Sequence, residues 1–308
     1  MSLTPTSQWF DSTTSHHFMK LLFFITILLT ALVSFSQSLP ERFIIVGDTR
    51  GSGGADVINT SIVKEIVSEI TNHHPSFVIV PGDLVYVGSL SIFQTWRNLF
   101  APVRNMGIPV YPVLGNHDAN DVASYISVFG SDIPDNGPTG EINRTFFAQY
   151  NNTLVVGLDQ YVTSQRVNQT WLNSVLNSNK LTHVFTFGHN PAFKVYHTDC
   201  LDDYPANRDA FLNSLTNVGS RIYFCGHDHF YDRLKAGNGV MYQIIAGNGG
   251  APLKTGIYAY DGNNTTWNPV KMYHNDVFGY TVVDILNNTV TITPYKQNNL
   301  GLYKPANI

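Results

Sequence analysis

The sequence predicts an α/β protein of two packed mixed β-sheets flanked by helices. Three observations carry this prediction. Short apolar runs alternate with helical patterns over the front of the chain. Strand-like alternation dominates from about residue 230 onward. Five of the apolar runs end at a glycine.

The first run, Phe43-Ile44-Ile45-Val46, stops at Gly47 and reads as a buried strand. Val57, Ile58, Ile62, Ile66, Val67 and Ile70 fall at helical spacing and predict a helix over 57–70. Phe77 to Val80 is a second buried strand, closed by Pro81-Gly82. Residues 91–101 read as a helix. Val110 to Leu114 is a third strand, stopped by Gly115. Val155 to Leu158 and His183 to Phe187 read as strands on either side of a helix around 168–178. A helix around 206–217 leads into Ile222-Tyr223-Phe224-Cys225, which ends at Gly226. Tyr280 to Ile285 and Val290 to Thr293 alternate and supply strands of the tail. The segment 131–143 reads as a loop. No repeat and no long Pro, Gly and Ser linker divides the chain, so 37–308 reads as one domain.

Residues 1–36 read as a leader rather than as part of the fold. Leu21 to Val33 is apolar apart from Thr26 and Thr30, with Lys20 before it and Ser34 and Ser36 after it. That pattern fits a secretory signal peptide cut near residue 36. The run is short of the roughly 20 apolar residues a membrane span needs. A secreted or periplasmic protein is expected, with no stable membrane insertion after cleavage. A signal anchor in the membrane is the alternative. Seven N-x-[ST] sequons, at Asn59, Asn143, Asn151, Asn168, Asn263, Asn264 and Asn287, are compatible with an exported glycoprotein but do not establish export.

Composition excludes several classes. The 308 residues suffice to bury a substantial core. With 18 Lys and Arg against 22 Asp and Glu, no basic excess exists to bind a nucleic-acid scaffold. A chain that is 43% hydrophobic and 13% aromatic is not a disordered acidic one. Two cysteines, Cys200 and Cys225, exclude a disulfide scaffold and a Cys-rich zinc module. Cys225 reads as a small hydrophobe on a buried strand. A pairing with Cys200 is left open.

The strand ends carry the chemistry. They read Gly47-Asp48-Thr49-Arg50, Gly82-Asp83-Leu84-Val85-Tyr86, Gly115-Asn116-His117-Asp118, Gly188-His189-Asn190-Pro191 and Gly226-His227-Asp228-His229. Carboxyl ends of strands in α/β sheets line one crevice, so these residues are expected to converge. Oxygen donors with imidazoles suit Fe, Mn or Zn. Asp48, Asp83, Asn116, His189, His227 and His229, with Tyr86 as a further candidate, are too many ligands for one ion. They fit two metals that share a carboxylate, an arrangement suited to phosphoryl displacement.

The order GD, GDxxxxG, GNHD, GH and GHxH over residues 47–229 resembles the calcineurin-like metallophosphoesterases. Most of that family begins D-x-H, whereas this chain has Arg50, which cannot be a ligand. The purple acid phosphatases also lack that His and use the Tyr of GDxxY, where Tyr86 stands. Gly226 to Arg233 is similar to their GHxHxYxR ending, and Ala246 to Pro252 to their Gly-rich segment. The resemblance implies a four-layer α/β/β/α metallophosphoesterase sandwich. It implies a first metal, Fe(III), on Asp48, Asp83, Tyr86 and His229. It implies a second, divalent Fe, Zn or Mn, on Asp83, Asn116, His189 and His227. Metal-bound hydroxide would attack a small phosphate-ester substrate, with His117 as general acid and Asp118 orienting it. Arg50 departs from the GDxG of that branch. It reads either as a phosphate ligand or as the partner of a nearby carboxylate. Asn116 and His117 are also candidate substrate contacts. His197 reads either as a substrate contact or as an exposed loop residue. The expected function is phosphate-monoester hydrolysis. The alternatives are a phosphodiesterase acting on nucleotides or phospholipid head groups, and a non-catalytic metal-binding surface protein.

Overall fold

Apolar runs of four or five residues, each ended by glycine, leave room only for short strands. The first sheet is built from β1 (Glu41–Ile45), a β2–β3 hairpin apart from it (Arg50–Gly53, Asp56–Ile58), then β4 (Phe77–Val80) and β5 (Val110–Pro112). The second begins with β6 (Phe146–Tyr150), β7 (Thr153–Gly157), β8 (His183–Phe187), β9 (Ile222–Cys225), β10 (Tyr231–Ala236), β11 (Met241–Ala246) and β12 (Val270–Asn275). The chain then returns to the first sheet with β13 (Gly279–Leu286), β14 (Thr289–Gln297) and β15 (Tyr303–Pro305). The strand orders are β15-β14-β13-β1-β4-β5 and β12-β10-β11-β9-β8-β7-β6. Both sheets are mixed. β1, β4 and β5 run parallel, as do β7, β8, β9 and β11, and the outer strands are antiparallel. This computed structural model describes residues 41–306 apart from 257, 261, 263 and 299. The expected leader and the sequon at Asn263 lie outside the described residues. Among these residues no helix is long and apolar enough to cross a membrane.

Among the described residues, six helices flank the sheets: α1 (Thr60–His73), α2 (Leu90–Leu99), α3 (Ala101–Asn105), α4 (Val122–Phe129), α5 (Gln169–Ser178) and α6 (Pro205–Asn217). Alternate strand residues enter different cores, as a pleated strand requires. On β9, Phe224 joins the core between the sheets, while Tyr223 and Cys225 face the outer core beneath α5 and α6. The Phe43 ring lies 4.8 Å from Phe77 in its own sheet. It lies 5.2 Å from Phe185 and 6.0 Å from Phe224 in the other. Val63, Ile66, Val67 and Ile70 of α1 cover the far face of the first sheet. The layers are those the sequence predicts.

Several strand ends shift by one to two residues, and two helix boundaries differ from the sequence expectation. The predicted helix over 57–70 starts at Thr60, because Val57 and Ile58 belong to β3. The Val57 carbonyl accepts from the Tyr86 N–H, and Asn59 caps the helix by accepting from the Ile62 N–H. The helix expected over 91–101 breaks at Phe100. Pro102 has no N–H to continue the ladder. The α4 helix was not legible in the sequence. Both cysteines are buried free thiols.

Candidate active site

Backbone crowding explains the glycines at the strand ends. A Cβ on Gly115 would lie 2.2 Å from Asp83 Oδ1, and one on Gly226 would lie 2.2 Å from Asp48 Oδ2. Only glycine lets those strands pass the carboxylates. Three expected ligands also sit in the left-handed region: Asp48 (φ 54°), Asp83 (φ 51°) and His227 (φ 71°). Non-glycine residues there cost free energy and concentrate at functional sites.

The imidazoles are each held from outside. His189 Nδ1 lies 2.8 Å from the Pro81 carbonyl, so its proton sits there and Nε2 turns a lone pair inward. His229 Nδ1 is fixed in the same way by the Pro252 carbonyl at 2.9 Å. His227 Nε2 meets Asp199 Oδ1 at 3.1 Å, which leaves Nδ1 facing inward. Inside, Asn116 Oδ1 is 3.0 Å from His189 Nε2 and 3.2 Å from His227 Nδ1. Those two nitrogens are 3.2 Å apart. Asp83 Oδ1 lies 3.5 Å from His189 Nε2. Burial brings the His189 imidazole down to about 4. Burial and then the Arg50 charge bring His229 down to about 3. For His227 burial acts downward, but the Asp199 hydrogen bond and nearby carboxylates raise it overall. The Asp48 carboxyl is raised well above its usual range by burial and by Asp83 beside it.

Asp48 is packed differently. Its carboxylate accepts from the His227 N–H, and Oδ1 lies 3.9 Å from His229 Nε2. Between Asp83 and His229 stands Arg50. Its Nε is 3.3 Å from Asp83 Oδ2, an ion pair without hydrogen-bond alignment. Its Nη2 is 3.2 Å from His229 Nε2. Of the two roles open for Arg50 in the sequence, the structure displays the carboxylate pairing.

The rim holds the remaining candidates. His117 donates its backbone N–H to Asp83 Oδ1, and its Nδ1 lies 2.6 Å from the Tyr86 carbonyl. Asp118 does not orient it, contrary to expectation. The buried Asp118 carboxylate instead accepts from the N–H groups of Gly115, Leu84 and Val85 and shapes the loop after β4. His197 comes to the site: its ring lies 4.5 Å from His227 and 5.7 Å from His229. Asp228 holds it, accepting from its N–H and lying 2.8 Å from Nδ1. Tyr86 stands at the rim beside Arg50 and His117. Its ring lies against the Arg50 guanidinium, 5.3 Å from centroid to carbon, and Gly53 packs on its far end. Asp199 and Asp228 as imidazole partners were missed. The one available signal for Asp228 was a carboxylate between two histidines of one strand end.

A model of the calcineurin-like phosphoesterase family matches residues 41–231. The chain belongs to that family. No curated protein matches it. Among solved structures, the phosphoesterase is similar to Plasmodium GAP50, described as the anchor in the inner membrane complex. The identity is 17%, over 88% of this chain and 90% of that one, with a TM-score of 0.61. It is similar to purple acid phosphatase PPD1 of yellow lupin (Lupinus luteus) at 16% identity, over 87% of this chain and 53% of that one, TM-score 0.61. A dimetal phosphatase from Danio rerio matches at 14% identity, over 83% and 96%, TM-score 0.55. At such identities the likeness speaks for the fold.

Family membership and a buried group of Asp48, Asp83 and His189, whose ligand atoms lie within 4.8 Å of one another, suggest a dinuclear metal site. The two positions of this phosphoesterase fit unequally. Ligand atoms on one ion with bonds of about 2.1 Å lie about 3.0 to 3.4 Å apart. The Asn116, His189 and His227 atoms meet that spacing, their lone pairs converge, and Asp83 closes the set. They fit a metal ion. At the other position Asp83 and His229 already face the Arg50 guanidinium. The ligands there do not fit a metal without moving that side chain.

Proposed function

We propose that this phosphoesterase hydrolyses phosphate monoesters at a metal held by Asp83, Asn116, His189 and His227. The observation that carries the proposal is the convergence of the Asn116, His189 and His227 lone pairs within 3.2 Å of one another. A bound Fe, Zn or Mn ion would supply Lewis acidity toward a phosphoryl oxygen and a water. The chain's own residues do the rest. The Tyr86 carbonyl takes the Nδ1 proton of His117, so the ring hands a proton from Nε2 to the leaving oxygen when it carries its second proton as an imidazolium. Asp228 accepts the Nδ1 proton of His197, and in the imidazolium form Nε2–H donates to a phosphate oxygen. Several donors at one mouth favour the dianionic monoester over the monoanionic diester. Export under the apolar run before residue 36 belongs to the same reading. The N-terminal residue of protein recovered outside the cytoplasm checks it, with a start near residue 37 expected.

The enzymatic test compares turnover of a chromogenic phosphate monoester and its diester by the metal-loaded protein, with Asp83→Ala beside it. Monoester preference, lost in Asp83→Ala, is expected. Diester preference would overturn the substrate class. Hydrolysis that survives Asp83→Ala would overturn the metal assignment.

A further inference from the structure

We propose that the Arg50 guanidinium occupies the first cation position of the dinuclear centre, so that the folded protein holds a single metal ion, on Asp83, Asn116, His189 and His227. The inference rests on the metal-centred reading above and goes beyond it by fixing what fills each position.

Arg50 is rooted where it stands. Its backbone N–H donates to the Asp83 carbonyl at 3.1 Å, and it pairs with Ile58 across the β2–β3 hairpin. Its Nη1 donates to the Gly51 carbonyl at 2.9 Å. The residue is 9% exposed. From that root the guanidinium reaches three of the four residues that the resemblance assigns to the first metal. It faces Asp83 Oδ2, it donates from Nη2 to the lone pair of His229 Nε2, and the Tyr86 ring lies over it. The direction of the His229 bond is set by chemistry. Arginine only donates, and the Nδ1 proton of His229 is committed to the Pro252 carbonyl.

The two positions therefore differ in what they lack. At the second, Asn116 Oδ1, His189 Nε2 and His227 Nδ1 turn acceptor lone pairs on one another, which a cation relieves. At the first, the acceptors have a donor. A guanidinium keeps its charge at any pH the fold survives, and its planar fork suits an anion beside an imidazole. It balances part of the buried charge of Asp48 and Asp83, both shielded from solvent. It offers no exchangeable position for water, so the second ion alone would carry Lewis acidity. A metal bonded to Asp83 and His229 would collide with Arg50 and would have to drive a permanent cation out of a nearly closed site.

The test reads metal content and magnetic coupling in the full chain. Protein is loaded with excess Mn²⁺, freed of loose metal, and assayed for manganese per chain. The electron paramagnetic resonance spectrum of the same sample is recorded. One ion per chain with the hyperfine pattern of an isolated Mn²⁺ is expected. Arg50→Gly, which restores the residue usual in the purple acid phosphatase pattern, is expected to take up a second ion and to show a spin-coupled pair. Two ions or a coupled pair in the wild-type protein would overturn the proposal. So would one ion in both proteins. The wild-type spectrum decides on its own if Arg50→Gly does not fold. Failure of the wild-type protein to bind any manganese or zinc would remove the metal-centred function as well, a result distinct from binding two.

Discussion

At the scale of single residues, the site is built by what stands behind each ligand. His227 Nδ1 faces inward because Asp199 engages its Nε2 at 3.1 Å. The same contact holds the Asp199 carboxyl down to about 2. Outer partners of this kind tune metal affinity by about 10- to 100-fold. Asp199→Ala is therefore expected to weaken Zn²⁺ binding within that range and leave the circular dichroism spectrum unchanged. Calorimetric titration measures it, and an unaltered affinity would show that Asp199 does not set the His227 tautomer. The candidate ligands Asp48, Asp83, Asn116, His189 and His227 were legible because each directly follows a strand-ending glycine, with His229 two places further on. Asp199 was not legible in that role, since its contact crosses 28 residues of chain through a loop. Spacing also placed Tyr86 beside the centre, where its ring lies against Arg50 and Gly53.

At the scale of elements, the strands buried between helices were legible and the polar hairpin was not. Gly51 to Gly54 looks like a bare turn, yet Asp56 accepts from both the backbone and hydroxyl of Ser52 and closes β2 on β3. The hairpin's apolar end, Val57-Ile58, mimicked the first turn of α1. Asn59 separates the two elements and does double duty. Its Oδ1 caps α1, and its Nδ2 donates to the Gly250 carbonyl at 2.8 Å, tying α1 to the Gly-rich segment by the site. Asn59→Ala is expected to cost about 1 to 2 kcal/mol, read as a lower denaturation midpoint at unchanged denaturant slope. No loss would show that water replaces both bonds. The other end of α1 predicts a pH dependence. His73 Nε2 meets the Tyr280 hydroxyl at 2.9 Å. Burial, and then the charge of Arg42, lowers its imidazole from the ordinary 6.5. The unfolded chain then binds the proton more readily than the folded one, so stability is full above about pH 6.5 and falls as the pH drops toward the lowered folded value. His73→Gln removes the titration, so its melting temperature is expected to fall less than that of the wild-type protein below pH 6.5. Parallel curves would assign the acid loss to other groups.

At the scale of the whole molecule, the centre joins the two sheets. Asp48, Asp83 and Asn116 follow β1, β4 and β5 of one sheet, while His189 and His227 follow β8 and β9 of the other. The architecture was legible because five separate strand ends must meet for those residue types to make sense together. The return of β13 to lie against β1 was not, since antiparallel pairing over more than 230 residues leaves no local trace. The sheets do not depend on the metal alone. Phe43, Phe77, Phe185 and Phe224 pack between them, and Trp96 of α2 donates to Thr49 Oγ1 right behind Asp48. A metal that binds only where both sheets are in place adds stability by mass action, about 2.7 kcal/mol at a hundred times its dissociation constant. Chelation is therefore expected to lower the melting temperature by several degrees, as about 1 kcal/mol shifts a domain of this size by a few degrees at most. The transition should stay a single cooperative one, since the aromatic seam remains. Scanning calorimetry with and without chelator, followed by return of Zn²⁺, measures both points. An unchanged melting temperature would mean that the ion does not bridge the sheets. Two separated transitions would mean that the apolar seam cannot hold them together without it.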